Sequence, residues 1–155
     1  MPTAWRLVRA RYAACAFDGE GASLNPGRWN SPGVRMVYTA ESRSLAALEI
    51  LTQIHGEPPE DAYVLIAAIF PAKALTRLDP GQLPRNWTTY PPPPTLRILG
   101  DRWIASGTSL VLEVPSVVIP AERNFLINPQ HPDVCSLQLA APEPFTFDPR
   151  LFPRP

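Results

Sequence analysis

Short runs along the chain alternate apolar and polar residues, and the elements they predict are mostly strands. In Ala4 to Val8, Trp5 and Leu7 fall on one side, Arg6 and Val8 on the other. From Val34 to Thr39, Val34, Met36 and Tyr38 alternate with Arg35, Val37 and Thr39, a second strand. Tyr63 to Phe70 is continuously apolar and closed by Pro71, the pattern of a buried strand. Leu75 to Leu78, Ser109 to Val114, Val117 to Ile119 beyond the Pro115-Ser116 turn, Phe125 to Ile127 and parts of Ser136 to Phe147 also read as extended. Helical spacing is found twice. Ser42 caps a run to about Ile54, stopped by Gly56 and Pro58-Pro59; Leu96, Leu99 and Trp103 mark a helix from Thr95 to Ala105, ended by Gly107. Ala13 to Asn25 and Gln82 to Pro94 read as loops, the first mobile. Strands outnumber helices without regular strand–helix–strand alternation. The prediction is therefore an α+β fold, one domain over residues 1–155, with mostly antiparallel sheet.

The 42–54 helix is apolar over most of its circumference. Its polar stripe is Ser42, Glu49, Thr52 and Gln53, so Glu49 faces either solvent or a cleft. Composition adds a constraint: 21 of 155 residues are proline. They lie between the periodic segments, which predicts short elements, rigid turns and no long helix in the second half. Fourteen basic and fourteen acidic residues give a formal net charge of zero, which removes the broad electrostatic footprint of a nucleic-acid binder. Lys73 is the only lysine, so an anion site here is built from guanidinium forks. Cys15 and Cys135 lack metal-like spacing and read as small hydrophobes. A basic segment followed by an apolar run is missing at the N-terminus, and no apolar run approaches membrane-spanning length; the expectation is a cytoplasmic protein without a membrane partner. Zinc-protease, Walker and dinucleotide-fingerprint motifs are absent, and a metal site is not expected.

Five polar residues remain to be explained. Arg6 and Arg28 lie in or beside apolar segments, where a charge needs a partner or an anionic ligand. An internal Arg28–Glu49 ion pair is one reading, an anion site the other. Tyr38 is a core tyrosine or a ligand platform, and Ser116 a turn residue or a site residue. Trp87 and Tyr90 read as cover for the core. Taken together the five suit one chemistry. Two arginines fork a pyrophosphate, a phenol ring stacks on a flat heterocycle, and a carboxylate stabilises positive charge on a ribose as its leaving group departs.

The blocks GRWN, VYTA and SLAALE, followed by LVLEVPSVVIPAERNFLINPQHP, resemble the RES domain. That family is named for its arginine, glutamate and serine. The resemblance implies an ADP-ribosyltransferase-like fold and a toxin of a bacterial toxin–antitoxin pair, partnered by an antitoxin with an Xre-like helix-turn-helix region. It implies consumption of NAD, as substrate and not cofactor, by hydrolysis or phosphorolysis at the nicotinamide–ribose bond, or transfer of ADP-ribose to a protein. The matching positions are Arg28, Glu49 and Ser116 as catalytic residues, with Arg6 and Tyr38 binding substrate. Against this stands a non-catalytic binding module in which Arg28 and Glu49 form a structural pair. The acceptor, the oligomeric state and the role of the 82–94 segment are left open by the sequence.

Overall fold

The computed structural model describes residues 1–154. In chain order its elements are β1 (Thr3–Arg9), α1 (Glu20–Leu24), β2 (Val37–Ala40), α2 (Arg43–Leu51), β3 (Tyr63–Ile69), β4 (Leu75–Arg77), α3 (Pro94–Ser106), β5 (Val111–Pro115), β6 (Arg123–Ile127), β7 (Gln138–Leu139) and β8 (Glu143–Phe145), with short 3-10 turns between them. The strands form one sheet in the order β4-β5-β6-β2-β1-β3-β7, and β8 also pairs with β3. Pairing is antiparallel except between β4 and β5.

Register fixes what each face carries, because residues directly opposite in an antiparallel pair share a face. Trp5 lies opposite Ala40, Tyr38 opposite Leu126, and Leu126 opposite Leu112, so these residues share one face. Both longer helices cover it. Leu45 and Ala46 of α2 bury against Leu7, Ala40 and Leu65. Leu96 and Trp103 of α3 bury with Trp29, Met36, Leu112, Val114 and Leu126. The other face carries Ala4, Val37, Ala68, Val111, Phe125 and Ile127, closed by Phe70 and Leu110. Tyr38 thus stands on β2 between the part of the sheet under α2 and the part under α3.

Most predicted elements are present with shifted ends. Ser42 caps α2 by accepting from the Leu45 amide at 3.1 Å, as its position suggested. The expected loop over 13–25 instead holds the end of a 3-10 turn (Ala10–Cys15) and the short helix α1. Val117 to Ile119 is bent and not extended, because the Ser116 hydroxyl accepts the amides of both Val118 and Ile119 at 3.1 Å. The longest helix, α3 with 13 residues, lies in the proline-rich second half, where the helix expected over Thr95 to Ala105 is present but longer than the proline content suggested; its prolines precede or open it and do not interrupt it. Cys15 and Cys135 are exposed, not buried as small hydrophobes would be. Among the described residues no helix is long and apolar enough to cross a membrane.

Candidate active site

Glu49 and Ser116 meet. Ser116 follows β5, is fully buried, and donates to Glu49 Oε1 at 2.7 Å. Because the same hydroxyl accepts two backbone amides, its proton is directed at the carboxylate. Ser116 therefore holds Glu49 in one rotamer from beneath, and among the described residues Oε2 has no hydrogen-bond partner.

Arg28 lies on the turn between Gly27 and Ser31. Its Nη1 donates to the carbonyls of Trp87 and Thr89, both at 2.9 Å, which leaves Nε and Nη2 without a protein acceptor among the described residues. The Arg28–Glu49 ion pair, one of the two readings of these residues, does not form: among the described residues no carboxylate comes within 4.0 Å of Arg28. The two are nonetheless neighbours. Burial lowers the proton affinity of the guanidinium, and the fields of Glu49, Tyr38 and Tyr90 oppose that lowering. Each group is thus anchored by its own partners, Arg28 by two backbone carbonyls and Glu49 by Ser116.

Tyr38 braces the turn. Its hydroxyl donates to Asn30 Oδ1 at 2.6 Å and accepts from the Trp29 amide at 3.0 Å. A Cβ at Gly27 would stand 2.7 Å from the Tyr38 Cζ, so the turn passes over the ring edge only because residue 27 is glycine. Burial is the main cause that raises the phenol pKa well above its ordinary value.

Arg6 is placed differently. On β1 it alternates with Trp5 and Leu7, so its side chain leaves from the opposite face. Among the described residues the β1–β2 register consists of the Trp5–Ala40 pair alone, and beyond it Arg6 Nη1 takes the Tyr38 carbonyl at 2.9 Å. Burial pulls its pKa down to about 10, partly offset by Asp18 and Cys15, and its Nε is buried without a partner. Arg28, Tyr38, Glu49 and Ser116 thus gather on one side, and Arg6 reaches the group from behind the sheet.

Pattern reading passes over three members of the site. Asn30 is fully buried; its Oδ1 takes the Gly27 amide as well as the phenol, and its Nδ2 donates to Ala22 and Val34 carbonyls. Asp101 binds Ser31 through both carboxylate oxygens. Asn124 lies opposite both Ala40 and Val114, on the face shared with Tyr38. Its signal was present in the sequence: a polar residue in phase with Leu126. Trp87 packs half-buried beside Trp29, as core cover should, whereas Tyr90 is 91% exposed and covers nothing. A separate hollow of about 520 Å³ lies between α2 and the C-terminal segment. Its walls are mostly apolar, Ala47, Leu48, Leu51, Leu65, Phe145 and Leu151 among them, and contain none of the five predicted residues.

Comparison with known proteins places the chain in a family and matches its fold. The RES domain family matches residues 3–148. A protein called Toxin Res from Yersinia enterocolitica is 38% identical over 148 residues, covering 95% of this chain and 97% of the relative. The Prs ADP-ribosylating toxin of a Sphingobium species is 37% identical over 153 residues, covering 95% and 94%. Among solved structures, the Mycobacterium tuberculosis MbcT–MbcA toxin–antitoxin complex contains a chain that superposes with a TM-score of 0.73 at 20% identity, over 94% of this chain and 84% of that one. The α+β fold expected from the sequence, mostly antiparallel sheet with a few helices, is the one observed, and it is shared with that chain. By family match and by relatives of equal length, the chain belongs to the RES domain family of toxins.

Proposed function

We propose that this toxin consumes NAD by breaking the bond between nicotinamide and ribose. The observation that carries the reading is the Glu49 carboxylate, held by Ser116 through one oxygen, with the other oxygen unpartnered and the unpaired Arg28 guanidinium nearby. In the reaction the C1′–N bond breaks and its electron pair leaves with nicotinamide. Positive charge grows on the ribose ring, and a fixed carboxylate beside the ribose hydroxyls stabilises it. Water or phosphate then closes the new bond to C1′. Arg28 offers Nε and Nη2 to the dinucleotide phosphates in a fork, and Tyr38 offers its ring to the nicotinamide. Arg6, behind Tyr38, adds fixed positive charge to the same place. No metal ion or further cofactor enters the scheme.

Transfer of ADP-ribose to a protein side chain is the second reading, favoured by the relative named as an ADP-ribosylating toxin. It uses the same bond cleavage with a different acceptor. The partner follows from the neighbour solved as a toxin–antitoxin complex: an antitoxin, expected to carry an Xre-like region and to cover the NAD cleft.

The test is nicotinamide release from NAD by purified toxin. Glu49→Ala is expected to slow it about 100- to 1000-fold while the protein stays folded, the typical cost of losing one transition-state contact. Equal rates in wild type and variant remove Glu49 from the mechanism. Free ADP-ribose or its 1″-phosphate among the products supports cleavage to a small acceptor; label fixed to protein supports transfer.

A further inference from the structure

Helix α3 approaches the Arg28 turn more closely than a side chain would allow. A Cβ at Gly100 would stand 1.7 Å from the Trp29 carbonyl oxygen. The helix backbone therefore lies directly against the residue that follows Arg28. From this position α3 takes hold of both ends of the turn. Arg97 Nε donates to the Gly27 carbonyl at 3.3 Å. Asp101 Oδ1 accepts the Ser31 amide at 3.0 Å, and its Oδ2 takes the Ser31 hydroxyl. The middle of the turn is held by Asn30 and Tyr38.

Asp101 is poorly explained by α3 alone. Aspartate is a weak helix former in a helix interior. This one is half-buried, and among the described residues no cation lies within 4.0 Å of its carboxylate. Both of its oxygens are committed to one residue 70 positions away, three beyond Arg28. A carboxylate spent in this way fixes the path of a turn, and the guanidinium carried by that turn is fixed with it. We propose that Asp101 is a positioning residue: seated beside Gly100, it locks the Gly27–Ser31 turn so that Arg28 meets the dinucleotide phosphates in one orientation. This role rests on the reading of Arg28 as an NAD ligand. It acts through the backbone of the turn, and Asp101 itself touches no substrate.

The experiment measures kcat and KM for NAD per folded molecule in wild type, Asp101→Ala, Asp101→Asn and Arg102→Ala. Asp101→Ala is expected to lower kcat/KM about 100-fold, mostly through KM, which is the scale of a displacement near 1 Å in a substrate-holding group. Asp101→Asn keeps an acceptor for the Ser31 amide and a partner for its hydroxyl, and is expected to restore activity to within about threefold of wild type. Arg102 is exposed on the same helix, and Arg102→Ala is expected to behave as wild type. Should Asp101→Ala lower only the melting temperature, with KM and kcat per folded molecule unchanged, Asp101 merely docks the helix and the positioning role is overturned. An Asp101→Asn protein as damaged as Asp101→Ala overturns it too, since charge and not geometry then matters. A wild type that releases no nicotinamide sinks the reading of the site itself and takes this role with it, whereas an active wild type matched by Asp101→Ala sinks the positioning role alone.

Discussion

Tyr38 shows how one residue serves the turn and reports on it. Its hydroxyl is both donor and acceptor within the turn, and burial keeps it protonated well above the ordinary phenol value of 10.0. The unfolded chain releases this proton near its ordinary value, while the folded chain retains it. Above about pH 10 the native state therefore binds more protons than the unfolded state, and stability falls as pH rises. Arg6 works the other way, since burial lowers its pKa to about 10 and its native form sheds a proton more easily than the unfolded chain does. A comparison of wild type with Tyr38→Phe cancels that contribution. At pH 8 the variant is expected to be about 1–3 kcal/mol less stable, because the Trp29 amide loses its acceptor. By pH 11 the gap should narrow, as the wild type alone loses the Tyr38 contribution. Urea unfolding at a series of pH values measures this, and a gap constant from pH 8 to 11 would show that the phenol is not held protonated by the fold.

Among the elements, α3 is the one whose placement the site depends on most. Its start at Pro94 and its end at Gly107 were readable from residue type alone, as was the Ser42 cap of α2. Its contact with the Arg28 turn was not, because Gly100 and Asp101 act on residues about 70 positions away. Local pattern also failed where a side chain competed with the ladder. Val34 was expected in a strand, but Asn30 takes its carbonyl, and β2 begins only at Val37. Ser116 curls the chain at Val118 and Ile119 despite their apolar character. Arg28, Glu49 and Ser116 could be named as candidates because the residues around them form long ordered blocks; what each one touches was legible only in three dimensions. The steric claim about α3 has its own test. Gly100→Ala must push helix and turn apart, and is expected to cost about 3 kcal/mol, the upper part of the usual overpacking range. Gly21→Ala is the control: nothing lies within 4 Å of its Cβ position, and in a helix alanine is expected to gain up to about 1 kcal/mol. Denaturant midpoints for the two variants decide it; a Gly100→Ala protein as stable as wild type would mean that the close approach of α3 is not required.

Across the whole molecule, the carboxylate of the site depends on the chain's last residues. Helix α2 presents Glu49 toward Ser116 only if the helix itself is held in place, and its apolar residues pack into a cluster finished by the tail. Phe147 and Phe152 are buried there with Leu45, Ala46, Tyr63 and Leu65. Phe147 meets Tyr63, Phe145 and Phe152 edge-on, with ring centroids 5.4, 5.0 and 5.9 Å apart. At the surface Arg43, the first residue of α2, stacks 3.7 Å over the Trp5 ring and pairs with Glu143 of β8 at 3.1 Å, which clips the tail to the helix. The surface pair is half-exposed and worth little by itself, so the aromatic cluster carries the attachment. Phe147→Ala is therefore expected to cost about 3–5 kcal/mol, and its effect should reach the site through α2. At a temperature where the variant remains folded, nicotinamide release should fall mainly in kcat if Glu49 meets the transition state as proposed, because its carboxylate is loosened while the Arg28 turn stays held by α3. Phe147→Leu, which fills more of the cavity, should recover part of both losses. A Phe147→Ala protein that is destabilised but keeps wild-type kcat would show that Ser116 alone suffices to hold Glu49, and that the tail supports the fold without supporting the chemistry.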